Sequence, residues 1–146
     1  MKFKPIRCMT SLLLILLFAS MSSAVNFVGR AAAEPILVTA KGKGTMKVGS
    51  ETFQVTSVVV KLAEDGTAEL TLVAEITFFL SGKWTVDSAS PKNYNLQITG
   101  SITGGGAQGT GKIVMQDDGK SLDRLSAQGG LKTSTRKVAI EFVADR

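Results

Sequence analysis

The residue types that most often do chemistry are scarce in this chain. It has no histidine and one cysteine, Cys8. Without histidine, Ser-His-Asp and Cys-His catalysis are excluded. Zinc and iron–sulfur centres of the usual kinds also lack ligands, because Cys8 precedes an apolar run that belongs to a removable leader. Carboxylates remain. Asp117, Asp118 and Asp123 could gather round a calcium ion, which takes oxygen ligands. Their spacing departs from the EF-hand loop, and Asp117-Asp118-Gly119-Lys120 suits a hairpin turn. A glycosidase-like pair is formally open to Glu69, Glu75, Asp87 and Glu141. These fit better as solvated residues on the outer faces of strands. No catalytic residue, metal ligand or cofactor is therefore assigned.

Two glycine strings imitate nucleotide motifs. Gly106-Ala107-Gln108-Gly109-Thr110-Gly111-Lys112 matches most of a phosphate-binding loop, but Ile113 stands where Ser or Thr should hold magnesium. Gly104, Gly106 and Gly109 have the spacing of a dinucleotide fingerprint. Both motifs need a helix whose N-terminus meets the phosphates. The following Ile113-Val114-Met115 reads as strand, so a glycine-rich hairpin is the expectation.

The N-terminus has the three-part layout of a secretory signal peptide: Lys2, Lys4 and Arg7, then the run Leu12 to Phe18, then small residues ending in Ser22-Ser23-Ala24. The run is far short of the roughly 20 residues that span a bilayer. Cleavage after Ala24 is expected, with Ala33 as a second candidate. Residues 1–24 are thus read as leader (a signal-peptide helix), 25–35 as a flexible lead-in, and 36–146 as one domain. Without Lys2, Lys4 and Arg7 the 17 basic residues fall to 14 against 12 acidic ones, a net of +2. These charges are scattered singly, so nucleic acid is not an expected partner. The expected location is periplasmic or secreted, with membrane contact only through the leader during export.

From Ile36 onward the dominant period is two, the signature of strands with one face buried. Ala68, Leu70, Leu72, Ala74, Ile76, Phe78 and Leu80 alternate with mostly polar neighbours. The phase continues to Trp84 and Val86, which predicts one long strand bent at Ser81-Gly82. Tyr94 to Ile102 and Val138 to Ala144 alternate likewise. Between Phe53-Val55 and Val58-Val60-Leu62 the phase flips, predicting a β-bulge near Thr56 to Val58. Turn signals lie at Gly49-Ser50, Glu64-Asp65-Gly66, Ser90 to Asn93, Gly104 to Gly106, Asp117-Asp118-Gly119 and Gly129-Gly130. Gly42 to Val48 resembles Gly109 to Met115, through either an internal repeat or shared coiling glycines. No segment after the leader has a helical period. Apolar faces without helices must cover one another, so the expected fold is all-β. It is a single antiparallel up-and-down barrel of about seven or eight strands, with a two-layer sandwich as the alternative.

Leu80-Ser81-Gly82-Lys83-Trp84-Thr85 resembles the Gly-x-Trp strand of the calycin families, avidins and lipocalins. There a tryptophan closes one end of a ligand-holding barrel. The likeness spans six residues, and in those families the motif opens the domain, whereas here Val25 to Phe79 precede it. The further tryptophans of an avidin pocket are absent, so no ligand follows from it. The leading expectation is an exported, non-catalytic barrel that binds a small, mostly apolar ligand inside or at its mouth. Trp84, Tyr94 and Phe79 are the candidate contacts. The alternative is a structural or interaction protein of the cell envelope with no small ligand, which an outward apolar patch at Val73, Phe79 and Val143 would favour. Expected partners are accordingly a small apolar molecule or an envelope protein.

Overall fold

The computed structural model describes residues 34–101 and 106–146. The expected leader, with its helix, and the lead-in as far as Ala33 lie outside the described residues. The described residues form eight strands: β1 (Ile36–Val48), β2 (Glu51–Leu62), β3 (Thr67–Val73), β4 (Thr77–Asp87), β5 (Ser90–Ser101), β6 (Ala107–Met115), β7 (Leu122–Leu131) and β8 (Lys137–Ala144). Each pairs antiparallel with its neighbour in sequence, and β8 pairs with β1, so the sheet closes into a barrel. No helix occurs among the described residues.

Alternation explains the closure. β8 shows it most cleanly: Val138, Ile140, Phe142 and Ala144 are buried, while Lys137, Ala139, Glu141 and Val143 are exposed. The same inward set recurs around the barrel and fills it. Among the described residues every buried side chain is hydrophobic. Eight strands give an interior just wide enough for side chains to occupy. The enclosed space left beside Leu80, Ile98, Ala107 and Ile140 is only about 10 Å³. That is at the lower limit for one water molecule, and its lining is apolar.

Several sequence expectations change in detail. Ala68 to Val86 is a hairpin rather than one bent strand. Val73 pairs with Thr77 across a three-residue turn, and Ala74 N donates to Ile76 O at 3.2 Å. Ile76 therefore sits at a loop tip, 51 % exposed. The odd-length turn keeps the alternation in phase, with Leu70 facing Leu80 and Leu72 facing Phe78, so nothing in the pattern betrays it. Ser90 to Asn93 is the bulged start of β5, and the turn precedes it, since Asp87 pairs with Ser90 while Val86 pairs with Tyr94. Gly129 and Gly130 lie within β7, paired to Gly109 and Gln108. The phase flip in β2 is present: the β1–β2 register slips by one opposite Val55 to Ser57. The two similar glycine strings lie on β1 and β6. A Cβ on Gly42 or Gly44 would strike the backbone of β8, and one on Gly109 that of β7, so coiling of closely apposed strands accounts for the likeness.

Candidate functional site

In a closed meander, alternate turns share one end. The start of β1, the β2–β3, β4–β5 and β6–β7 turns, and the end of β8 gather at one end of this barrel. An open recess of about 660 Å³ lies there. Its apolar wall includes Leu37, Trp84, Val86, Pro91 and Tyr94, and its charged margin is Glu34, Asp118 and Lys120.

Trp84 is fixed by the turn above it. Its Nε1 donates to Ala63 O at 2.9 Å, and its backbone N donates to Gly66 O at 2.9 Å. Gly66 N donates to the same Ala63 carbonyl at 3.0 Å, with Gly66 at φ 82°, where a side chain would be strained. Tyr94, opposite Val86 on the neighbouring strand, meets Trp84 edge-on, with centroids 5.4 Å apart and planes at 84°. Such a pair contributes about 0.5–1.5 kcal/mol beyond its buried area. Tyr94 is only 9 % exposed. Its hydroxyl has no hydrogen-bond partner among the described residues. Burial pushes its pKa above the ordinary 10.0.

Carboxylates shape the rim. Asp118 Oδ1 accepts from the backbone N of Lys120 and of Ser121, both at 2.8 Å, and Oδ2 accepts from Ser121 Oγ at 2.6 Å. The Ser121 hydroxyl and then these amides hold its pKa below the ordinary value. Asp87 is lowered first by the Lys112 ammonium, at 2.7 Å, and then by Ala89 N. Asp65 is lowered by Thr67. Lys92 Nζ ties β5 to the β6–β7 turn, donating to Asp117 O at 2.9 Å.

These shifts predict acid behaviour. All three carboxylates have folded values below 3.8. Their contribution to stability is present above that value and is lost as pH falls through the depressed folded values. The melting temperature should hold from neutral pH to about pH 4 and then drop. Asp118→Asn should lower it near neutrality and make the acid drop shallower, as followed by circular dichroism.

Of the three sequence candidates, the structure brings Trp84 and Tyr94 together and leaves Phe79 apart. Phe79 is on the outer face of β4, opposite Thr71 and 38 % exposed, because its odd position points away from the core. Leu37 and Pro91 were not singled out in sequence, and Val86 and the 118–120 turn were read there only as strand and turn, with Asp118 as a possible calcium ligand, not as part of this site. Val86 carried a signal, as the last apolar residue in phase with Trp84. The β6–β7 turn carried none, since only closure brings it near Trp84. The possible calcium ligands divide: Asp118 holds its own turn and Asp123 lies on β7. The four carboxylates weighed as an acid–base pair are scattered. Glu69 pairs with Lys61 at 3.0 Å, Asp87 with Lys112, Glu75 lies in the β3–β4 turn at the far end, and Glu141 lies on the outside of β8. The phosphate-loop string is on β6, so no helix N-terminus follows it. No family model, curated protein or solved structure matches the chain.

Proposed function

We propose that this chain is an exported, non-catalytic binding module of the periplasm or the cell exterior. It takes a small, mostly apolar molecule at the mouth of the barrel, against Trp84 and Tyr94. The reading rests on the contrast between a filled interior and a recess of about 660 Å³ at one end, which is within the usual size of a small-molecule site. A binding place inside the barrel is dropped, because an occupant there would have to displace core side chains.

Trp84 is the only tryptophan in the chain, so fluorescence reports directly on this mouth. Titration with the uncharged probe N-phenyl-1-naphthylamine should show saturable energy transfer from Trp84. Val86→Asp and Leu37→Asp change side chains at exposed positions of the recess. Each should weaken the probe about 10-fold or more by placing a charge where apolar contact is needed. Unsaturable transfer, or transfer indifferent to both changes, rejects the reading.

The filled interior also favours a second reading, an envelope interaction protein without a small ligand. Among the described residues the closed barrel has no open sheet edge to offer such a partner. Phe79 on β4 and Val143 on β8 lie on different sides of the closed sheet, so they do not form one patch. Native mass spectrometry of protein purified from its host separates the two readings. A co-purifying small mass supports the first, and a defined oligomer without one supports the second.

A further inference from the structure

We infer that the molecule bound at this mouth carries a positively charged head: an alkyl or aryl ammonium rather than a carboxylate, sulfate or phosphate. The inference rests on the mouth being a binding site and adds the sign of its ligand. Three features of the recess favour it.

First, the recess has an unused polar atom at its apolar wall. Tyr94 lines the recess, and its hydroxyl, open to solvent rather than enclosed, takes no hydrogen bond from the described residues. A ligand head placed there gains a hydrogen bond that the protein does not supply to itself. The phenol oxygen can accept from an ammonium.

Second, the lining charges favour a cation. Two carboxylates, Glu34 and Asp118, face one ammonium, Lys120. Asp118 cannot readily lose its charge, because three hydrogen bonds from the turn stabilise the ionised form. Two other cations near this end are held by carboxylates outside the recess lining: Lys92 by Asp117 and Lys112 by Asp87. Lys41, Asp145 and Arg146 line the neighbouring groove, not this recess.

Third, the wall itself is aromatic. Trp84 and Tyr94 both line the recess; indole is the best ring for holding a cation, and its one donor, Nε1, is already given to Ala63 O and is not free for an anion. The opposite end of the barrel has the other sign: Lys47, Lys132, Arg136 and Lys137 outnumber Glu51 and Glu75 there. An anion would be drawn to that end, away from the apolar recess.

The test uses dodecylammonium and dodecanoate, which share one chain and differ in head charge, at concentrations below micelle formation. Trp84 fluorescence is the readout, with N-phenyl-1-naphthylamine as the uncharged reference. At low ionic strength dodecylammonium should bind about 10-fold more tightly than dodecanoate, and added salt should shrink the ratio. Glu34→Lys, at an exposed position, should abolish or reverse that ratio, and Lys120→Glu should widen it. Tyr94→Phe should weaken dodecylammonium about 5-fold, the value of one hydrogen bond, and leave the uncharged probe within about 2-fold. Equal binding of the two chains, or tighter dodecanoate, overturns the charge inference while the uncharged probe still binds. Failure of all three ligands overturns the mouth as a site.

Discussion

Phe142→Ala is expected to destabilise the barrel by about 3–5 kcal/mol, the range for removing a fully buried phenylalanine. Phe142 has no exposed surface and is the largest of the fully buried side chains. It stands on β8 opposite Gly44 of β1 and Leu125 of β7. The ring therefore fills the barrel at the seam where the sheet closes. Gly42 and Gly44 leave the room it occupies, since a Cβ built on either would come within 2.9 Å of a Phe142 carbon. Close packing on both sides leaves little scope for collapse into the cavity, which places the cost toward the upper part of the range. Urea unfolding monitored through Trp84 gives the number. A midpoint shift with unchanged slope is a loss of stability alone. A change under about 1 kcal/mol would mean the seam relaxes around the missing ring.

The second large effect is expected from a single methyl group. Gly82 on β4 is buried, and a Cβ there would collide with the carbonyl oxygen of Gln97 and lie 2.9 Å from its carbonyl carbon. These are backbone atoms of the adjacent strand, so nothing flexible can swing aside. The β4–β5 register also shifts at this point, between Ser81 and Gly82. Gly82→Ala must push the strands apart where the ladder is already irregular, and a loss of about 3 kcal/mol or more is expected. Gly100, on β5 beside the same irregularity, provides the control. A Cβ there meets only the Ser81 hydroxyl, at 2.8 Å. That group is the tip of a side chain that can rotate, so Gly100→Ala should cost about 1 kcal/mol or less. Equal losses from the two changes would show that backbone proximity is not what requires glycine at position 82. Thermal unfolding of both proteins under one condition decides it.

Much of the architecture is legible in sequence because period two reports facing directly. The even-numbered apolar residues of β4, β5 and β8 are buried except Val86, exposed at the mouth, and the flip inside β2 identifies its own irregularity. What alternation cannot report is a turn of odd length. Gly49-Ser50 joins β1 to β2 with two residues and reverses the inward parity, from Met46 to Val55. Ala74 to Ile76 joins β3 to β4 with three and preserves it, so the two strands read as one. The Asp87–Lys112 pair is hidden for another reason: its members are distant in sequence and meet only because β4 and β6 flank β5. The site follows the same logic. Trp84 and Tyr94 were legible as aromatics on inward faces, and their meeting follows from one hairpin. Phe79 was drawn in by its ring alone, although its odd position already placed it outside.

The ladder between β1 and β8 closes the sheet. It joins Gly42 to Ala144 and Val48 to Val138, the first strand to the last. A growing or truncated polypeptide lacking Lys137–Ala144 can make every earlier hairpin and still have two naked flanks, one on β1 and one on β7. Those flanks invite pairing with another copy until the tail arrives. Maturation of this molecule is thus all-or-none with respect to the eight residues of β8, and a stop codon or a protease acting just ahead of them converts a closed cylinder into a template for aggregation.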